Sequence, residues 1–569
     1  MGYSIEPPIF LGADCMISSL GIGTTENYTR ILNYEDGFSS RKEALDLMKS
    51  YPVSLIKEEV FSSDGMPGAL TRLERLFAIV IKRILKESGL SENTPKLGFI
   101  FSTTKGNIDL LEGKGGLHPD LYLHQMASNV LKSLNSHAEF IVISNACISG
   151  VSAIIIGSRL IRADKFSHVV VVGGDLLSEF VITGFHAFRS VSMTPCRPYD
   201  EARDGLSLGE ACGGVLLTNS SQIAVKPEVY VRGGAISNDA NHISGPSRTG
   251  DGLFFAIQKA LQEATLLPDD IGFINAHGTA TLYNDEMESK ALHLAALSDV
   301  PVNSLKSYLG HTLGASGVIE TILSAYQLRE RMVFGTKGFA RLGVSMPLNL
   351  SALHRKANGR NCLKLASGFG GCNAALLLSL DQGEPAKQTS HDTTYLESES
   401  VLIETDSLNS DFGEFIREQF RALQSPNLKF YKMDDLCKLG YVAAARLFAS
   451  QQKYLAELEP NEIALILANR SSSLDTDGHH QQNVDMHSEE GVSPAVFVYT
   501  LPNVVAGEIA IKHKIQGETT FFIQEKESEF LKEYAQLLLL SGQAKAVVYG
   551  WCEYLNQNGK VSLKIIKRK

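Results

Sequence analysis

The sequence lacks several features that would place it in common classes of protein. No uninterrupted apolar segment approaches the roughly 20 residues that span a bilayer, so we expect no membrane-spanning helix. Its net charge of -10 disfavours nucleic acid and anionic membranes as main partners. The first six residues, Met-Gly-Tyr-Ser-Ile-Glu, contain neither a basic segment nor an apolar core, so no signal peptide is predicted.

Closely spaced cysteine pairs are also missing. The eight cysteines are scattered along the chain, and no two of them form a Cys-x-x-Cys pair. This spacing disfavours both a disulfide framework and a zinc site. We therefore expect reduced thiols, a cytoplasmic protein and no bound metal.

What the chain does contain is an alternation of apolar strands and helices. With 569 residues, 44% of them hydrophobic and 20% charged, it is long enough for more than one globular domain. Strand-like segments at 97–101, 140–143 and 168–172 alternate with helical ones, and a second series begins near residue 221. The pattern predicts an α/β fold. Residues 381–412 are polar with few apolar anchors, which is typical of a linker.

Cys147 lies where the strand at 140–143 gives way to a helical segment at 151–161. Unpaired backbone N–H groups and the helix dipole at such a position favour a thiolate over a thiol. The placement predicts a nucleophile. A small buried residue with an inert sulfur is the alternative explanation for a lone cysteine.

Two histidines occur in glycine-flanked turns further along the chain. His277 lies in Asn-Ala-His-Gly-Thr, directly after the strand at 271–275, and His311 follows Gly310. Loops at strand ends are where an α/β sheet presents its chemistry. Neutral imidazoles in such loops are able to donate hydrogen bonds to developing negative charge.

Together these motifs resemble the β-ketoacyl-[acyl-carrier-protein] synthases, which are elongating condensing enzymes. The resemblance covers about residues 8–380 and includes Asn145-Ala146-Cys147, the two histidine motifs and Gly368-Phe369-Gly370-Gly371. It implies a thiolase-type fold of two α/β halves, layered α-β-α-β-α, with the nucleophile in residues 1–220 and the histidines in residues 221–380. It also implies a decarboxylative Claisen condensation with malonyl-acyl carrier protein.

The resemblance also implies a role for each motif residue. Cys147 would hold the acyl chain as a thioester, His277 and His311 would assist decarboxylation, and Lys306 would order that pair. Asp285 and Glu288 would support the lysine, and the hydroxyls of Thr279 and Thr281 would hold the phosphopantetheine arm. Phe369 would be a gating aromatic, and its backbone N–H would join that of Cys147 in an oxyanion hole. No cofactor is expected beyond the carrier's phosphopantetheine.

Residues 413–569 repeat the pattern of the first half without the sulfur. The segment 463–475 matches 97–110, Thr520–Ile523 matches the strand before Cys147, and 502–504 is paired with 128–130. Where a nucleophile would fall, the sequence has Gln524-Glu525-Lys526-Glu527-Ser528-Glu529. This region resembles a truncated chain-length-factor-like half, although an unrelated α/β appendage would share the same layering. Its three histidines at 479, 480 and 487 are predicted to lie in a solvated loop.

Several alternatives remain open at this stage. The chain could be a non-catalytic partner of another synthase, or a malonyl decarboxylase that forms no new carbon bond. The expected partners are an acyl carrier protein and a second copy in a homodimer, with a heteromer as the alternative. The segment Ser102-Thr103-Thr104-Lys105-Gly106-Asn107 resembles synthases of aryl-polyene and flexirubin-type pigment clusters, which suggests one possible pathway.

Overall fold

The first half of the molecule is built on a mixed sheet in the computed structural model. The structure describes residues 7–39, 51–62, 70–112, 117–383, 395–397, 400–405, 411–425, 427–487 and 492–568. The elements of this N-terminal half are β1 Phe10–Ser18, β2 Gly21–Ile22, α1 Thr24–Leu32, β3 Phe38–Ser39, β4 Val53–Ser54, α2 Glu59–Ser62, α3 Arg72–Ser88, β5 Leu97–Ser102, α4 Leu123–Ser133, β6 Glu139–Ile143, α5 Ser149–Arg162, β7 His168–Asp175, α6 Glu179–Ala187 and β8 Ala211–Thr218. Its main sheet has the strand order β6-β5-β7-β8-β1.

The second half repeats this strand order. Its elements are β9 Tyr230–Asn238, α7 Asp251–Ala264, β10 Ile271–Asn275, α8 Leu282–Leu294, β11 Pro301–Asn303, α9 Lys306–Leu309, α10 Ser316–Arg329, β12 Met332–Val333, β13 Asn349–Leu350, β14 Arg355–Lys356, β15 Asn361–Gly368 and β16 Cys372–Ser379. The sheet of this C-terminal half has the order β11-β10-β15-β16-β9. Helices α5 and α10 pack on each other between the two sheets, while α3 and α7 cover their outer faces. The predicted α-β-α-β-α layering is confirmed.

A third region, residues 395–568, forms a further sheet. Its elements are β17 Tyr395–Glu397, β18 Val401–Glu404, α11 Phe412–Ala422, α12 Asp435–Ser450, α13 Gln452–Leu455, β19 Ile463–Asn469, α14 Leu474–His487, α15 Pro494–Tyr499, α16 Val504–His513, β20 Thr519–Ile523, α17 Phe530–Leu540, β21 Ala546–Leu555 and β22 Asn558–Arg568. The order β20-β19-β21-β22 matches that of the N-terminal half. None of the helices in the described ranges is long and apolar enough to cross a membrane.

Local sequence explains why these elements form where they do. Helix α3 begins at a capping box, in which the Thr71 side chain accepts from Glu74 N and the Glu74 side chain accepts from Thr71 N, and it ends at Gly89 in a left-handed conformation. In α5 every residue except Arg162 is buried, because the helix lies between two sheets. Strand β7 is buried over seven of its eight positions, as expected for a continuous apolar segment.

One pair of edge strands joins the third region to the N-terminal half. Strand β20 pairs with β6 in antiparallel register, with Phe522 opposite Ile143 and Ile523 opposite Val142. The register is symmetric. If Val142 is taken as equivalent to Phe522 and Ile143 to Ile523, exchanging the two strands gives the same two pairs. The third region therefore occupies a pseudo-two-fold position relative to the N-terminal half, and the two sheets form one continuous sheet.

The outer side of the third region is polar at the place where the N-terminal half is covered by its second half. Helix α5 is covered on both sides, but its counterpart α17 faces outward and carries the polar residues Lys532, Glu533 and Gln536 on its less buried side. Lys532 forms an ion pair with Glu397 of β17 at 3.1 Å. Because this face of α17 carries polar side chains, it can lie against solvent and needs no covering layer.

Three expectations about residues beyond 380 need correction. The predicted linker contains β17 and β18, which pair with β22, while residues 384–394, 398–399 and 406–410 lie outside the described residues. The histidine segment is helix α14 instead of a loop, and His480 is buried against the Phe180 carbonyl at 3.1 Å. Residues 128–130 lie inside α4, whereas Asn503 precedes α16, so the proposed match between these segments is wrong.

The buried ion pair between Arg159 and Glu518 is one of the contacts that attach the third region to the N-terminal half. Arg159 of α5 lies 2.7 Å from the Glu518 carboxylate and also donates to Tyr534. Glu518→Ala leaves a buried arginine without its partner, so we expect a loss of about 3–5 kcal/mol in the free energy of unfolding measured with urea. Asp164→Ala, which removes an exposed pair with Lys96, serves as the control and should change little. A loss for Glu518→Ala no larger than that control would contradict this assignment.

Candidate active site

A strained turn presents Cys147 between β6 and α5. Ala146 has a φ of 48°, a left-handed conformation that costs free energy for a residue with a Cβ. The Ser149 hydroxyl stabilises the turn by donating to Ala146 O at 2.6 Å and accepting from Asn145 N at 2.8 Å. The Asn145 side chain donates to Thr519 O of the third region at 3.0 Å. The nucleophile turn is therefore held in part by the third region.

A close approach of the two central helices brings the His311 loop to Cys147. A Cβ on Gly150 would lie 2.7 Å from Val318 N, and a Cβ on Gly317 would lie 2.3 Å from Val151 N. Only glycine allows the N-terminal ends of α5 and α10 to approach this closely. The loop that leads into α10 carries His311, so this contact places its imidazole over the nucleophile turn.

The three residues that were predicted to form the catalytic set lie together. One ligand atom from each of Cys147, His277 and His311 lies within 4.8 Å of the others. The two imidazole rings have a centroid separation of 5.3 Å and are nearly perpendicular, at 86°. Both histidines are buried, whereas Cys147 is partly exposed. The structure thus brings a thiol and two imidazoles from different halves to one point.

Both imidazoles are held in the neutral form. Burial lowers the pKa of His277 and of His311 well below 6.5, and the nearby Lys306 ammonium lowers each pKa further. The Nδ1 atom of His311 accepts a hydrogen bond from Leu313 N at 3.0 Å, which assigns the proton to Nε2. His311 therefore presents an N–H donor. The expectation of neutral, hydrogen-bond-donating imidazoles agrees with this geometry.

The expectation of a resting thiolate does not agree with the structure. Helix α5 begins at Ser149, two residues after the cysteine, and burial raises the pKa of the Cys147 thiol to about 12, although the Lys306 charge partly offsets this. Desolvation of the sulfur opposes the helix-start effect on which the prediction rested. The resting nucleophile is a thiol that must lose its proton during the reaction.

The acidic partner of Lys306 is a residue that the sequence interpretation missed. Lys306 Nζ donates to Glu320 Oε1 at 2.6 Å, and both side chains are buried. Glu320 Oε2 also lies 2.6 Å from Nζ of a second buried lysine, Lys364. Two sequence signals for this cluster were available. Lys364 lies within an otherwise apolar buried strand, and Glu320 lies on a buried helix.

Asp285 and Glu288 support the His277 turn instead of the lysine. Glu288 accepts from His277 N at 2.6 Å and Gly278 N at 2.9 Å, and Asp285 accepts from Thr279 N at 3.0 Å. Burial raises the pKa of Asp285 to about 7. The predicted contact with Lys306 is therefore wrong for both carboxylates, because α8 directs them to the backbone of the turn that precedes it.

Phe369 lies between two cavities that share Cys147. The outer cavity, about 350 Å³, is lined by His277, His311 and the two predicted pantetheine hydroxyls, Thr279 and Thr281, which are 2.9 Å apart. The inner cavity, about 30 Å³, is lined by Thr104, Lys105, Ala146, Cys147, Val181, Phe185, Leu313, Phe369, Phe497, Thr500 and Leu501. The position of the Phe369 side chain suits a gate between them.

The oxyanion hole stays a prediction, although one contact bears on it. A Cβ on residue 368 would lie 3.1 Å from Cys147 N, so Gly368 leaves the approach to this N–H open. The Phe369 backbone is held from the third region, since Asn503 Nδ2 donates to Phe369 O at 2.8 Å. Asn503 is a further residue that sequence interpretation did not assign to the site.

The same three side chains are the one group of His, Cys, Asp and Glu in the described part of the chain close enough to surround a cation. The thiol and the two neutral imidazoles instead form a set that is suited to proton transfer and to hydrogen bonding with substrate. A cysteine on a strand–helix turn with two imidazoles from a second α/β half defines the thiolase-type class of acyl-transferring enzymes.

Comparison with known families agrees with this class. Residues 60–222 match the β-ketoacyl synthase N-terminal domain, and residues 229–340 match the β-ketoacyl synthase C-terminal domain. The 3-oxoacyl-[acyl-carrier-protein] synthase 2 of Mycobacterium tuberculosis is 30% identical over 333 residues, which cover 53% of this chain and 79% of the relative. The chain belongs to the β-ketoacyl synthase family.

Other relatives share shorter segments. The polyketide biosynthesis malonyl-ACP decarboxylase PksF of Bacillus subtilis is 35% identical over 191 residues, or 32% of this chain and 44% of PksF. A 3-oxoacyl-[acyl-carrier-protein] synthase 2 of Rhizobium meliloti is 34% identical over 249 residues, or 41% of this chain and 59% of the relative. The chain thus spans about half the length of these two curated relatives.

Solved structures show the same architecture. The ketosynthase ApeO in complex with its chain length factor ApeC, from Xenorhabdus doucetiae, is 26% identical, with a TM-score of 0.58 over 66% of this chain and 98% of that chain. The PfaC ketosynthase–chain length factor is 14% identical but has a TM-score of 0.75 over 99% of this chain and 78% of that chain. The latter likeness extends the shared fold through the third region.

Alkylation of Cys147 should depend steeply on pH. With the pKa of this thiol raised to about 12, the thiolate fraction and the rate of reaction with iodoacetamide should rise about tenfold per pH unit between pH 7 and 9. The other seven cysteines are buried, so peptide mass spectrometry reports this site, with Cys147→Ala as the control. A rate that is already constant at pH 7 would show that the thiolate is the resting form.

Proposed function

We propose that this chain is a β-ketoacyl-[acyl-carrier-protein] synthase that joins an acyl chain held on Cys147 to a malonyl unit with loss of carbon dioxide. The convergence of one thiol and two neutral imidazoles within 4.8 Å is the observation that supports it most directly. Claisen condensation needs a sulfur that accepts and releases an acyl group, and donors for an enolate. This site has both.

In the first step the acyl group moves from the carrier to Cys147. The sulfur attacks the thioester carbonyl, the carrier's sulfur leaves, and the proton of the Cys147 thiol passes to it. Because burial keeps the imidazole beside the thiol neutral, its unprotonated ring nitrogen is free to accept that proton in transit while the sulfur attacks. The predicted oxyanion-hole N–H groups of Cys147 and Phe369 would then donate to the carbonyl oxygen of the bound thioester.

In the second step a malonyl thioester loses carbon dioxide. The electron pair of the broken carbon–carbon bond forms an enolate, whose oxygen would accept a hydrogen bond from Nε2–H of His311. The enolate carbon attacks the thioester on Cys147, the carbon–sulfur bond breaks, and the departing sulfur takes up one proton from solvent, which the overall reaction consumes. The products are a β-ketoacyl thioester on the carrier, carbon dioxide and the free thiol.

The third region is proposed to act as a built-in partner, in the manner of a chain length factor. Phe497, Thr500 and Leu501 line the inner cavity, and Asp477 forms a buried ion pair with Lys105 at 2.7 Å behind it. The inner volume of about 30 Å³ holds roughly two water molecules, since one needs about 10–15 Å³. Longer acyl chains would therefore require Phe369 or Phe497 to move.

The partner proposal has two parts. An acyl carrier protein would deliver both substrates, as the outer cavity with Thr279 and Thr281 is open enough to admit a phosphopantetheine arm. The homodimer expected from the resemblance stays a prediction, and it would need a face other than the edge of β6, which β20 already covers. Condensation in aryl-polyene or flexirubin-type synthesis and a cytoplasmic location are likewise proposals.

Product analysis tests the reaction directly. The purified chain would be incubated with malonyl-carrier, with and without acetyl-carrier or longer acyl-carriers, and the carrier products analysed by mass spectrometry. A β-ketoacyl-carrier formed only with primer supports condensation. Acetyl-carrier and carbon dioxide at the same rate with or without primer would favour the decarboxylase alternative, for which the similarity to PksF is the supporting observation. No turnover would favour a non-catalytic partner.

His311→Ala should slow the decarboxylation of malonyl-carrier. Loss of one donor to the enolate is expected to slow release of carbon dioxide from malonyl-carrier by about 10²–10³-fold. His479→Ala is a matched control, because His479 is 65% exposed and lies on α14 outside the site. A change in carbon dioxide release below threefold for His311→Ala would contradict the role proposed for its Nε2–H.

Phe497→Ala should lengthen the acyl chains that the enzyme accepts. Removal of this ring enlarges the inner cavity next to Cys147, so relative kcat/KM for longer primers should rise at least several-fold against acetyl. Phe448→Ala removes a buried ring of the same region that stacks on His513 at 3.8 Å, and it controls for lost stability. An unchanged primer preference in Phe497→Ala would contradict a pocket role for the third region.

A further inference from the structure

A second lysine shares the carboxylate that pairs with Lys306. Lys364 lies in β15, where Leu363 and Leu365 face the outer helices while Cys362 and Ala366 face the central layer. Alternation along the strand directs Lys364 to the central layer as well. Its side chain is fully buried, and its register partner in β10 is Asn275, two residues before His277.

The contacts of Lys364 link it to the lysine of the predicted catalytic set. Its Nζ lies 2.6 Å from Glu320 Oε2 and donates to Leu365 O at 2.6 Å, while Lys306 Nζ lies 2.6 Å from Glu320 Oε1. Each carboxylate oxygen of Glu320 therefore lies at ion-pair distance from its own lysine Nζ. Burial lowers the pKa of Lys364, and the charge of Glu320 acts against that lowering. Burial would raise the pKa of Glu320, but the two lysines together lower it, so the carboxylate is charged.

Two ammonium groups on one carboxylate are costly to bury, and a single lysine would balance the charge of Glu320. The other charged or titratable groups that face Lys364 are Glu288, the Cys362 thiol and the two histidines. Burial, the Lys306 charge and the Lys364 charge all lower the pKa of His311 and of His277. The lysine pair thus places positive potential where the proposed enolate would form.

We propose that Lys364 is a positioning residue for the condensation: it holds the second oxygen of Glu320, and so fixes Lys306 against the histidines, and its charge adds to the field that stabilises the enolate. The inference rests on the proposed function. It assigns a role to a residue that touches neither the thiol nor the acyl group, and acts through Glu320, Lys306 and the imidazoles.

The test measures carbon dioxide release from malonyl-acyl carrier protein between pH 5 and 9. Lys364→Met removes the charge at similar volume, and Lys364→Gln keeps a donor for Leu365 O. We expect each variant to release carbon dioxide at neutral pH at least tenfold more slowly than the wild type. We also expect the fall in rate at low pH, the acid limb, to move to higher pH by at least about half a unit. Loss of the nearby charge lets the pKa of each imidazole rise, so the imidazoles become protonated at a higher pH.

Lys259→Met is the matched control. Lys259 Nζ is largely buried and donates to Asn461 O and Gln543 O, away from any residue of the predicted site. This variant should keep the wild-type pH profile, even if its thermal stability falls. A loss of stability alone therefore does not reproduce the expected displacement of the acid limb.

The outcomes separate the inference from the proposed function. A wild-type chain that releases no carbon dioxide contradicts the proposed function itself. An active wild type with a Lys364→Met or Lys364→Gln profile that matches the wild type overturns the role of Lys364. Insolubility of both Lys364 variants, with Lys259→Met soluble, would also overturn it, because Lys364 would then serve folding alone.

Discussion

The antiparallel pairing of β6 with β20 is the contact on which the rest of the structure depends. It places the third region against the strand that leads to Cys147, and Asn145 and Ser144 of the nucleophile turn bond to Thr519 and Phe521 across it. An edge strand that ends next to a nucleophile would otherwise expose unpaired backbone groups. One chain thus covers its own edge and completes its own pocket.

Burial sets the protonation states of the two imidazoles and of the Cys147 thiol. The imidazoles lie between the two halves of the fold, where desolvation keeps them neutral and Lys306 adds to this effect. The same burial keeps the resting sulfur protonated. A neutral base beside a protonated thiol is a workable arrangement, because the proton moves only while the acyl group is transferred. The Lys306–Glu320–Lys364 cluster places buried charge behind the histidines.

The sequence allowed the fold class, the strand–helix position of Cys147 and the meeting of three distant motifs to be predicted, because these follow from apolar periodicity and from the family motifs. It did not allow the partner of Lys306 to be predicted, since Glu320 reaches it only through the packing of α10. Whether a cysteine is ionised depends on three-dimensional burial, which local position does not determine. The helix around His480 was missed because its polar composition hides a face buried against Phe180.

The role of Cys147 as the residue that holds the acyl chain is the step on which the proposed reaction depends. Its most direct test is the intact mass of the purified chain after exposure to acyl-carrier, followed by peptide mapping. We expect a mass gain of one acyl group minus one hydrogen, located on Cys147 and lost when malonyl-carrier is added. An unmodified chain, or a thioester on any other cysteine, would contradict it.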